Sequence, residues 1–67
     1  MEEKYINRIR EIRSSEGLTQ IQLAKRLNIT QSALSKIEIK NDPPIGIVFK
    51  MADAFGIPVT SIYSKQS

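Results

Sequence analysis

Apolar residues recur along this chain at three- and four-residue intervals, the spacing of one face of an α-helix. Tyr5, Ile6, Ile9 and Ile12, with Arg13 on the same side, predict a helix over about 5–15. Leu23, Ala24 and Leu27 predict a second over roughly 20–27, and Ala33, Leu34 and Ile37 a third over roughly 31–38. Ile45, Val48, Phe49, Ala52 and Phe55 line a fourth, and a short fifth over about 59–64 turns Ile57, Ile62 and Tyr63 back onto the core. No stretch alternates apolar and polar residues with period two, so no strand is expected. The pattern predicts an all-α fold, a compact bundle of five short helices in one domain over 1–67.

Residues between the runs supply the stops and starts. Gly17 and Gly56 suit the left-handed conformation that closes a helix, and Asn28 tolerates it in a tight turn. Thr19 and Thr30 each stand where a hydroxyl can accept from an early helix N–H. Ile39 to Pro44 reads as a loop, with Asn41-Asp42 favouring a turn and Pro43-Pro44 ending one element and starting the next. Gly46, inside the fourth helix, costs about 1 kcal/mol against Ala and is expected to mark close packing.

Composition narrows the function classes. With no Cys and no His, disulfides, thiol chemistry and the usual zinc sites are out of reach, and the lack of Cys suits a cytosolic, cytoplasmic protein. No apolar run approaches the ~18–20 residues of a membrane span, and the charged start MEEKYINRIR does not read as a signal peptide. No membrane, metal, cofactor or small-molecule ligand is therefore expected. Without His, Cys or clustered carboxylates an enzyme is not expected either. Ser32 and Lys36 stand one helical turn apart, but on a solvated helix Lys36 would keep an ordinary pKa and make a poor base.

The net charge of +3 is unevenly placed. Basic and acidic residues cancel over 1–16 and again over 42–67, whereas over 17–41 Lys25, Arg26, Lys36 and Lys40 face only Glu38. A basic middle fits a polyanionic partner, and it also fits an ordinary solvated helix surface.

Two helices of seven or eight residues joined by a short turn make a helix-turn-helix, here over about 19–38. Ala24 allows close approach at the crossing, and Ala33 keeps the second helix slim enough for a groove. That second helix has a polar face of Gln31, Ser32, Ser35 and Lys36 rather than a Glu/Lys mixture. Gln pairs bidentately with adenine, Ser with several base edges, and Lys reaches guanine or phosphate. The side chains therefore suit double-stranded DNA.

The stretch GLTQIQLAKRLNITQSALSKIE resembles the phage-repressor/Cro-type (Xre-type) helix-turn-helix family, whose pattern runs G-L-T-Q-x-x-L-A-x-x-L-x-[IV]-x-x-S-x-[IL]-S-x-x-E. Gly17, Leu18, Thr19, Gln20, Leu23, Ala24, Leu27, Ile29, Ser32, Leu34, Ser35 and Glu38 match it. IRSSEGLTQ and KMADAFGIPVTSIY extend the similarity over nearly the whole chain. The resemblance implies a small sequence-specific transcriptional regulator, a repressor in the simplest reading. It implies that Gln20 bonds a phosphate and helps orient Gln31, while Gln31, Ser32, Ser35 and Lys36 read bases in the major groove. Thr30 would cap and also touch phosphate, and Thr19 would only cap. It further implies a largely buried ion pair between Arg13 and Glu38.

The sequence departs from the family after Glu38, where a Gly normally turns the chain. Here Ile39-Lys40-Asn41-Asp42-Pro43 has none and is one residue short, so Asn41 is expected to take positive φ in its place. Since the family's loop touches the DNA backbone, Lys40 and Asn41 become expected phosphate contacts. Ile21 and Ile47 stand where the family often has polar residues. Ile47, Ile57, Val59 and Tyr63 would form an exposed apolar patch suited to a homodimer on a palindromic operator. An antitoxin or protein-interaction module that also binds its own promoter is the alternative, although the tail SKQS is short for gripping a partner.

Overall fold

The computed structural model describes residues 4–66. The order is β1 (Tyr5–Asn7), α1 (Ile9–Ser15), α2 (Gln20–Leu27), α3 (Gln31–Ile39), α4 (Ile45–Phe55), α5 (Val59–Ile62) and β2 (Tyr63–Lys65). Five helices surround one core, as the periodicity implies. The two ends of the described chain differ from that expectation: Tyr5 and Ile6 leave the first helix for β1, and Tyr63 leaves the fifth for β2.

The strands pair antiparallel, with Tyr5 opposite Lys65, Ile6 opposite Ser64 and Asn7 opposite Tyr63. The Tyr5 and Tyr63 rings stack with centroids 5.3 Å apart, and Arg8 Nη1 donates to Ser64 Oγ at 2.7 Å. This small ribbon ties the two ends of the described chain together. Three-residue strands are too short to display alternation, which is why the sequence pattern conceals them.

Three helices end in the same way, each with an apolar residue following a left-handed one. Gly17, Asn28 and Gly56 take φ of 69°, 58° and 63°. The amides of Leu18, Ile29 and Ile57 then reach back to the carbonyls of Arg13, Ala24 and Ala52 at 3.0–3.1 Å. That is the Schellman arrangement, and all three apolar residues pack against the core. Asn28 is the only non-glycine residue with positive φ among those described, and it makes the turn of the helix-turn-helix. Lys50 closes the same end of α2 by donating from Nζ to the Leu27 carbonyl at 3.1 Å.

Ile9, Leu23, Ala24, Leu27, Leu34, Ile37, Val48, Met51 and Ile62 form the buried core, joined by Ile47. Ile47 is 8% exposed, so it is a core residue and not part of an exposed patch. On α4 the large apolar side chains that do face solvent are Ile45 and Phe49. Ile57, Val59 and Tyr63 are half-buried at the edge of the core. Among the described residues no helix is long and apolar enough to cross a membrane.

Gly46 does not mark a close approach: a Cβ placed there would meet nothing within 4 Å. It carries only the backbone cost of glycine in a helix. Gly46→Ala should accordingly raise stability by about 0.5–1 kcal/mol, read as a higher urea midpoint with unchanged slope.

Candidate nucleic-acid interface

The site is built from the starts of α2 and α3, which the turn at Asn28 brings together. Thr19 caps α2 through a reciprocal pair: its Oγ1 accepts from the Gln22 amide at 3.1 Å, and Gln22 Oε1 accepts from the Thr19 amide at 2.9 Å. The Thr-x-x-Gln spacing of this capping box is plain in the sequence and gives Gln22 a role that helical periodicity alone does not. Thr30 caps α3 by accepting from the Ala33 amide at 3.1 Å. A cap of this kind uses only an acceptor lone pair, so the Thr30 O–H stays available to an outside oxygen.

Along α3, Gln31, Ser32, Ser35 and Lys36 are all exposed. Residues at i, i+1, i+4 and i+5 share one side of a helix, so these four form a single polar face. Leu34, Ile37 and Glu38 occupy the opposite side and are buried. The core thus fixes the rotation of α3 about its axis and turns the polar face outward. The ion pair between described side chains uses Arg13 and Glu38, and Lys36 and Lys40 have no carboxylate partner among the described residues.

Arg13 and Glu38 lie beneath that face. Arg13 Nε donates to Glu38 Oε2 at 2.6 Å, and its Nη2 approaches Oε1 at 3.4 Å. The Glu38 side chain is 1% exposed and that of Arg13 14%. Arg13 Nη1 also donates to the Leu18 carbonyl at 2.9 Å, so the guanidinium joins α1, the loop before α2, and α3. Gln20 Nε2 donates to Glu38 Oε1 at 2.9 Å, and Gln31 Nε2 reaches Gln20 Oε1 at 3.5 Å. Both glutamines therefore stand side by side at the surface, above a buried carboxylate.

The loop after α3 is held differently from the sequence expectation. Asn41 does not take positive φ, and Lys40 leaves the helix in an extended conformation, φ −81° and ψ 151°. What replaces the missing glycine is Asn7, at the end of β1. Its Nδ2 donates to the carbonyls of both Ile37 and Lys40 at 2.9 Å, while its Oδ1 accepts from the Ile9 amide at 3.0 Å. One side chain thus satisfies the free end of α3 and the start of α1. The bond to the Ile9 amide is local, but the second task depends on an element 30 residues away. Lys40 and Asn41 are exposed, whereas Pro43 in the same loop is buried.

One basic residue at the far end of α2 has other work. Arg26 lies over the Phe55 ring at 5.8 Å, a cation–π contact between α2 and α4.

Comparison with known proteins agrees with this geometry. The sequence model of a helix-turn-helix family matches residues 9–62, nearly the whole described chain. An uncharacterized HTH-type transcriptional regulator of Methanocaldococcus jannaschii is 34% identical over 58 residues, covering 85% of this chain and 88% of that protein. The immunity repressor protein of Bacillus phage phi105 is 36% identical over 61 residues, covering 90% of this chain but only 42% of the phage protein. The chain belongs to the Xre-type helix-turn-helix family of DNA-binding transcription regulators.

Proposed function

We propose that the protein is a repressor that binds a palindromic operator as a homodimer, with the start of α3 in the major groove. The exposed face of Gln31, Ser32, Ser35 and Lys36 opposite a fully apolar and ion-paired side carries this reading. An ordinary surface helix has no need of four adjacent side chains suited to base edges. The similarity to a phage immunity repressor supports repression as the direction of control.

Within this reading the residues divide by task. Gln31, Ser32, Ser35 and Lys36 read bases. Gln20, Thr30, Lys40 and Asn41 meet phosphates, Thr30 through its remaining O–H and Gln20 through the N–H that Glu38 does not use. Gln31→Ala should then lower discrimination at one base pair by about 1–3 kcal/mol, whereas Lys40→Ala weakens binding to every sequence alike. Equal losses on all sequences from both changes would refute the division.

A homodimer follows from the small reach of one such domain. Two-fold pairing places two recognition helices in successive major grooves about 34 Å apart. Ile57, Val59 and Tyr63 are the proposed contact surface, with Ile47 supporting it from the core. Sedimentation should report a dimer at high micromolar concentration, and a monomer there with one protomer per operator would exclude this arrangement.

A further inference from the structure

We infer that Glu38 is a specificity-determining residue: it sets which way the Gln31 amide faces the DNA, acting through Gln20. This rests on the reading of α3 as the base-reading helix. The chain of contacts runs from Arg13 Nε to Glu38 at 2.6 Å, from Gln20 Nε2 to Glu38 Oε1 at 2.9 Å, and from Gln31 Nε2 to Gln20 Oε1 at 3.5 Å.

Its direction follows from chemistry. An amide carries a donor and an acceptor of nearly equal size, and either end fits most sites. A carboxylate only accepts. Glu38, held by Arg13, therefore admits only the NH2 end of Gln20, and this turns the Gln20 oxygen outward. That oxygen in turn admits only the NH2 end of Gln31. The order of donor and acceptor that Gln31 presents is thus fixed by a carboxylate that is 1% exposed and never meets DNA.

The fixed order has a matching base. Adenine offers an acceptor at N7 beside a donor at N6. A Gln31 amide held by Gln20 through one N–H keeps its second N–H for N7 and its oxygen for N6. Both edges of the amide are then used without conflict. Adenine is the base this arrangement selects.

Glu38→Gln tests the relay sharply, because it preserves shape and reverses polarity. Its oxygen would stay on Arg13 Nε, leaving its NH2 toward Gln20. Gln20 must then turn its own oxygen inward, and Gln31 meets an NH2 group and reverses. Gln20→Met leaves the Arg13–Glu38 pair intact and cuts the relay, so it serves even if Glu38→Gln fails to fold.

The parent protein is first used to select sites from a randomised double-stranded DNA library. Binding of single-base variants of the selected duplex is then compared for the parent and the substituted proteins. Gln31→Ala should lower adenine discrimination at one base pair about 5- to 150-fold, and Glu38→Gln and Gln20→Met should each lower it at that same base pair at least about threefold. In a Gln31→Ala background Glu38→Gln should remove no further discrimination. Folded Glu38→Gln and Gln20→Met proteins that retain the parent's preference would overturn the relay. So would a loss spread evenly over all base pairs with no excess at the one that Gln31 reads. If Gln31→Ala itself changes no preference, base reading by Gln31 fails, and the relay falls with it.

Discussion

Glu38→Ala is expected to destabilise the protein by about 3–5 kcal/mol, a loss as large as that of emptying a core position. The carboxylate accepts from Arg13 twice and from Gln20 once, and it is almost wholly buried. Its removal leaves the Arg13 guanidinium largely out of water, with only the Leu18 carbonyl as a partner. A domain of this size has a total stability of roughly 3–10 kcal/mol, so the variant should be close to unfolding at room temperature. Each kcal/mol corresponds to about 4–8 °C in a domain this small, so the melting temperature should fall by tens of degrees. Replacing both partners with apolar residues, as in Arg13→Met with Glu38→Leu, should recover much of the loss, since no buried charge is then left alone. A Glu38→Ala protein that melts like the parent would show that the ion pair contributes nothing.

Leu34→Ala should cost about 2–5 kcal/mol by opening a cavity in the core. Leu34 is fully buried on the side of α3 opposite Gln31 and Ser35. The neighbouring exposed substitution Ser35→Ala should change stability by no more than about 0.5 kcal/mol. The contrast between adjacent residues tests the rotation of α3, on which the outward polar face depends. Thermal melts of the two variants decide it, and a costly Ser35→Ala beside a neutral Leu34→Ala would place the wrong face in the core.

Legibility in the sequence followed the range of the interactions. The starts of α2 and α3 are local, set by Thr19 and Thr30 accepting from amides three residues on, and both were readable. The ends at Gly17, Asn28 and Gly56 are local too, because each needs one residue that tolerates positive φ. The outward face of α3 follows from helical phase alone. Where the reading failed, the cause lies in contacts between distant residues. Tyr5 and Ile6 look helical beside Ile9 and Ile12, but β1 forms because β2 arrives 58 residues later in sequence to pair with it. Asn41 was the local substitute for a missing glycine, yet Asn7 supplies the bonds from across the fold. Ile47 looked like a surface residue by comparison with the family's polar preference, and the packing of α4 buries it. The bond from Gln20 to Glu38 joins residues 18 apart on different helices, and no spacing rule announces it.

The central claim is that this fold reads DNA sequence through α3. It is tested most directly by titrating the protein against a duplex it has selected from random DNA, and against a scrambled duplex of equal length, at rising salt. The selected duplex should bind at least about 1,000-fold more tightly. Affinity for both should fall linearly on logarithmic axes as salt displaces the phosphate contacts. Equal affinity for the two duplexes, or binding indifferent to salt, would contradict it.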